Sequence, residues 1–130
     1  MLTIEQELIK EKNHKPLIDI QGKLEILVNN RCFFIEPSLA LLEFGVELAR
    51  WSRKEDFYYF TMEHDEGPIL AFINKGENNW SLFSIWQEFE HKGLLCINII
   101  SDAVDLFLLK LDRELIKNFG IKIADFISSY

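Results

Sequence analysis

Apolar residues recur every second position over Ile18, Ile20, Leu24, Ile26 and Val28, alternating with Asp19, Gln21, Lys23 and Glu25. They then recur every three to four positions over Leu41, Phe44, Leu48 and Trp51. The first period places one side of an extended chain in a core and the second does the same for one stripe of a helix. A chain that switches between them must combine strands and helices around a shared interior.

The rest of the chain repeats the switch. Asn29-Asn30 tolerates the positive φ values of a tight hairpin turn, so Arg31–Glu36 is expected to return as the partner of the first strand. Pro37 stops that ladder and Ser38 can cap a helix over about residues 39–53. The stretches FYYFTME, PILAFIN and WSLFSIW, separated by HDEG and KGENN, read as an antiparallel meander. Leu94–Ile100 has strand length. Ser101 or Asp102 can cap a long helix carrying Val104, Phe107, Leu108, Leu111 and Leu115, with Gly120 as its stop. Ile123, Phe126, Ile127 and Tyr130 suggest a short terminal helix, and Thr3 with Gln6 matches a capping box opening another over about residues 4–12. Gly45, within the helical pattern, implies close packing against a sheet. The expected fold is α+β: an antiparallel sheet of about five to six strands, hairpin plus meander, packed on two main helices with short terminal helices, all in one domain over residues 1–130.

An apolar fraction of 48% gives enough surface to offset the entropy of ordering. The acidic and polar residues of MLTIEQELIKEK interrupt what a secretory signal would need as an apolar stretch, and no apolar run approaches the roughly 20 residues that span a bilayer. A cytoplasmic, membrane-free protein is expected, with Cys32 and Cys96 reduced and buried in strands. The net charge of −7 is concentrated: residues 55–92 hold eight carboxylates against Lys75 and Lys92. Such a segment repels nucleic acid and attracts cationic partners.

Catalytic and metal signatures are missing from the sequence. Glu63, His64, Asp65 and Glu66 cluster at a turn, but neither HExxH nor a calcium loop surrounds them. His14, His64 and His91 lack helical ligand spacing, Ser81 and Ser84 sit in a strand pattern rather than a nucleophile elbow, and the six glycines are too scattered for a phosphate loop. No cofactor, metal or catalytic residue is assigned. The acidic segment is instead rich in aromatics, and strand alternation sends rings to both sheet faces. If helices cover one face, the other displays Tyr or Trp beside carboxylates, a composition suited to a protein interface; the alternative is that nearly all these rings belong to the core. Glu63, Asp65, Glu66, Glu77, Tyr59, Trp80 and Trp86 are the candidate partner-binding residues.

The runs EPSLALLEFGVELARW, FYYFTMEHDEGPILAF and NNWSLFSIWQEFE, ending in W-x-x-x-S-x-W at Trp80, Ser84 and Trp86, resemble small uncharacterised bacterial domains, some of which look like immunity proteins of toxin systems. The resemblance implies a binding role and carries no catalytic residues across. The expected function is a non-catalytic cytoplasmic binding protein, with an immunity protein that neutralises a basic toxin through an acidic, aromatic sheet surface as the form that the resemblance implies. The alternatives are a small-molecule binder or enzyme with an aromatic pocket, and a structural homo-oligomer joined through a sheet face or edge.

Overall fold

The computed structural model describes residues 2–8, 20–60, 67–91 and 93–127. The elements are β1 (Leu2–Leu8), β2 (Gln21–Val28), β3 (Arg31–Ala40), α1 (Leu41–Arg50), β4 (Phe57–Tyr59), β5 (Leu70–Asn74), β6 (Trp80–Phe83), α2 (Ile97–Phe119) and α3 (Ala124–Ile127). The α+β class holds, but the strands form two antiparallel three-stranded sheets, β1-β2-β3 and β4-β5-β6, rather than one of five to six strands. The free edge of β3 is met by a non-strand segment, with the Glu88 N–H donating to the Phe33 carbonyl at 2.7 Å, and α1 carries the chain off to a second sheet.

β1 replaces the helix expected over residues 4–12; residues 9–12 lie outside the described residues. Ile4 and Leu8 are four apart, a spacing that fits one helix turn and also two strand repeats. Pairing decides between them. β1 matches β2 along its full length, from Leu2 opposite Val28 to Leu8 opposite Gly22, whereas a helix of nine residues is marginal without tertiary support. Leu2, Ile4 and Leu8 are buried on the side shared with Leu24, Ile26 and Val28.

The hairpin forms at Asn29 and Asn30, whose φ values of 53° and 65° suit a type I′ turn. β3 runs on through Pro37, where one extra residue opposes β2 between Gly22 and Leu24. A bulge on an edge strand can accommodate a residue without an N–H. Ser38 is therefore in the strand; its Oγ donates to Gln21 Oε1 at 2.7 Å, and α1 begins at Leu41 with no side-chain cap. The Leu41 N–H donates to the Ile20 carbonyl instead. A second register shift, between Ile26 and Leu27, adds a residue at Phe33, so consecutive rings are both buried: Phe33 edge-on to Phe89 and Phe34 stacked on Trp86.

Leu94–Ile100 does not form a strand. A single bridge joins Leu95 to Trp80, and α2 starts at Ile97, earlier than Ser101. The missing cap comes from far along the chain: Asn78 Oδ1, in the β5–β6 turn, accepts the Ile97 N–H at 2.9 Å. At the other end Gly120, at φ 68°, closes α2 as expected. α3 also stands where a short terminal helix was expected, and Ile123 just before it is buried.

One core joins all these elements. α1 buries Leu41, Leu42, Phe44, Val46 and Leu48, and α2 buries Ile100, Val104, Phe107, Leu111 and Leu115. Gly45 admits α2 rather than a sheet: a Cβ there would lie 2.8 Å from Leu111 Cδ2 and 3.4 Å from Ile123 Cδ1. Arg53 clasps α2 from outside, donating to Ser101 Oγ and to Asp105 Oδ1. Among the described residues, no helix is long and apolar enough to cross a membrane.

Tyr59 is buried with its hydroxyl donating to Glu43 Oε1 at 3.0 Å. Burial, then the Glu43 charge and hydrogen bond, then Glu47, raise its pKa. Folded protein thus keeps a proton that unfolded chain releases near pH 10. Its contribution to stability is complete below that pH and is lost as the pH climbs above it. Tyr59→Phe is expected to cost about 1 kcal/mol at neutral pH through the lost hydrogen bond, and to flatten the alkaline fall in stability. Urea melts at neutral pH and above about pH 10 check both; an unchanged alkaline slope would contradict the assignment.

Candidate binding surface

The second sheet has one buried and one outward face, and strand parity assigns every ring. Phe57 and Tyr59 of β4, Leu70 and Phe72 of β5, and Trp80 and Leu82 of β6 all point into the core. The residues between them lie on the other face, where Ala71 at the centre is fully buried, Ile73 and Ser81 are half-buried, and the rings at the two edges are exposed. Tyr58 pairs with Ala71, which pairs with Phe83, forming a row across all three strands; Ile73 and Ser81 form the next. Tyr58 is 47% exposed, Phe83 39%, and Phe60, just past β4, 56%. The Tyr58 and Phe60 rings stack with centroids 6.2 Å apart.

A carboxylate orders this row. Asp56 Oδ2 accepts the Tyr58 hydroxyl at 3.0 Å, while Oδ1 accepts the Asn74 backbone N–H at 2.7 Å. Asn74 in turn donates through Nδ2 to the Lys54 carbonyl and accepts the Gly76 N–H, tying the β5–β6 turn to the start of β4. The hydrogen bond to Asp56 is the main reason the Tyr58 pKa is raised. The same hydrogen bond anchors the hydroxyl end of the exposed ring.

Beside the row lies an open cleft of about 380 Å³ lined by Glu47, Arg50, Trp51, Glu55, Asp56, Phe57 and Tyr58. Three carboxylates against one guanidinium leave it acidic. Trp51 is anchored by donating from Nε1 to the Glu55 carbonyl at 2.7 Å. Tyr58 belongs to both cleft and row, so an incoming Lys or Arg could pair with a carboxylate while its stem lies on an aromatic ring.

The anticipated residues divide differently. Tyr59 and Trp80 are each 2% exposed and belong to the core, which corrects their assignment as partner-binding. Trp86 is half-buried against Phe34 of the first sheet. Glu77 is exposed in the β5–β6 turn, at φ 54°, at the Asp56 end of the sheet. Glu63, Asp65 and Glu66, with His64, lie outside the described residues, as does His14. Tyr58, Phe60, Phe83, Glu47, Glu55 and Asp56 take the place of the buried rings. The aromatic run FYYF contains both parities, and the register against β5 selects Tyr58.

Nucleophile chemistry finds little support at the groups described. Ser84 is buried, its Oγ accepting the Trp86 N–H at 3.0 Å. Both cysteines are free and half-buried, and Cys96 stands at the start of α2 rather than in a strand. Burial, then Glu25 and Glu88, raise the Cys32 pKa, which disfavours the thiolate. Among the described residues, no group of three or more His, Cys, Asp or Glu side chains is placed to hold a metal ion.

A family model described as a domain of unknown function, DUF7878, matches residues 1–117. The chain belongs to that family. The DUF7878 match takes in both sheets, α1 and most of α2, and so includes the whole outward aromatic row; α3 lies beyond it. No curated protein and no solved structure matches the chain.

Proposed function

We propose that this chain is a binding protein whose partner is a basic protein, engaged through the outward face of the second sheet and the adjoining acidic cleft. The observation that carries the reading is the exposed Tyr58 ring, held by Asp56 at 3.0 Å where the aromatic row meets the carboxylates. Aromatic rings with fixed orientation lose little entropy on binding and are frequent interface anchors. The surrounding carboxylates add steering, which raises association rates and fades with salt. Blocking the basic active site of a toxin, the role implied by the resemblance to immunity proteins, is the specific form of this function that we propose.

Affinity capture from the native lysate, with captured proteins identified by mass, tests the reading. Wild-type chain is expected to retain a basic protein, less of it as salt rises. Tyr58→Ala should weaken the complex by about 2 kcal/mol, or roughly 30-fold, as expected for a hot-spot ring. The same change removes one surface hydrogen bond and one ring contact and opens no core cavity, so the variant should still fold, with its far-UV circular dichroism unchanged. Equal retention by wild type and Tyr58→Ala, or capture that is indifferent to salt, would remove the proposal.

A further inference from the structure

α2 carries two apolar stripes, and the core occupies only one. Ile100, Val104, Phe107, Leu111 and Leu115 face inward. On the opposite side Ile99, Leu106, Leu109 and Ile116 are 37%, 49%, 50% and 48% exposed. With Asp102 and Arg113 they complete a seven-residue repeat, 99, 102, 106, 109, 113 and 116, with spacings of three and four. That is the spacing of a helix seam that packs against another helix. It spans about 26 Å at 1.5 Å per residue, and a helix serving one core alone would ordinarily present charges here.

The order of residues along the stripe names the occupant. A two-fold axis between Phe107 and Leu108 that reverses helix direction sets Ile99 opposite Ile116 of a second copy, Leu106 opposite Leu109, and Asp102 opposite Arg113. Every layer then matches apolar with apolar or acid with base, and each occurs twice. A parallel pairing would set Asp102 on Asp102 and Arg113 on Arg113. Neither Asp102 nor Arg113 makes an ion pair within the described part of the chain, and together they leave the face neutral, although the whole chain carries −7. On the flank, Asp105 is already bridged by Arg53 at 2.6 Å. We propose that α2 is a dimerisation helix that packs antiparallel against α2 of a second copy of this chain, with Asp102 and Arg113 setting direction and register. This surface shares no residue with the acidic aromatic face, so either proposal can fail without the other.

Sedimentation equilibrium of the full chain at micromolar concentration tests it. Wild type is expected at about twice the chain mass of 15.3 kDa. Asp102→Arg or Arg113→Asp alone places like charges in two layers and should weaken the dimer by about 100-fold or more. The double exchange, Asp102→Arg with Arg113→Asp, restores opposite charges in both layers and should restore the dimer. All four positions of the two symmetric layers are solvent-facing, so far-UV circular dichroism should be unchanged in every variant. A monomeric wild type, single variants that remain dimeric, or a well-folded double variant that remains monomeric would each overturn the proposal.

Discussion

Phe44→Ala is expected to destabilise the protein by about 3–5 kcal/mol, the range for removing a fully enclosed Phe ring. Phe44 is the point where three elements meet. From α1 its ring reaches Phe57 and Tyr59 of β4, with centroids 6.3 and 5.0 Å away, and Phe107 of α2 at 5.6 Å. It has no solvent exposure. Alanine would remove three edge-on ring contacts and leave a cavity whose walls belong to different elements and cannot easily close together. Domains of this size have total stabilities of about 5–15 kcal/mol, so the melting temperature should fall by roughly 10–20 °C. Calorimetry with urea melts would measure it, and a loss below about 1.5 kcal/mol would mean that the aromatic cluster is loosely packed.

Gly22→Ala is expected to cost at least about 1–3 kcal/mol although it adds a single methyl group. A Cβ at position 22 would run into the Glu7 carbonyl oxygen, and would lie 2.5 Å from Leu41 Cδ1 and 2.9 Å from Leu8 Cα. Two of the three obstacles are β1 backbone, which cannot turn aside as a side chain can. The C-terminal end of β1 would have to leave β2, giving up the Glu7–Lys23 and Leu8–Gly22 pairings. Hydrogen exchange should therefore accelerate at β1 amides before those of β5. At Gly45 the same methyl group meets the tips of Leu111 and Ile123 side chains, which can give way. Uniform loosening across both sheets would indicate a different origin for the effect.

These two sites also separate what is legible in the sequence from what is not. Phe44 is visible in the sequence as part of a helical stripe, although its three ring partners come from residues 57, 59 and 107. Gly22 interrupts an alternating pattern without any signal that β1 crosses it, because the segment over residues 2–8 fits a helix nearly as well as a strand. The candidate face follows the same logic. Its acidity and its aromatic content are plain in residues 55–92, whereas the choice of Tyr58 over Tyr59 turns on a one-residue register that places each ring on its face.

Features governed by a few neighbouring residues were therefore legible from the chain alone. Asn29-Asn30 can hold two positive φ values, Gly120 can close a helix in the left-handed region, and the stripe from Val104 to Leu115 can bury one side, whatever surrounds them. Features governed by partners distant along the chain required the folded protein. The cap of α2 comes from Asn78, 19 positions earlier. The first strand exists because β2 pairs with it, and the free edge of β3 is met by Glu88 rather than by a strand of the second sheet. Local conformational preferences act within a turn or two of the backbone, but hydrogen-bond partners, strand register and exposure are properties of contacts that the chain makes only once it has closed on itself.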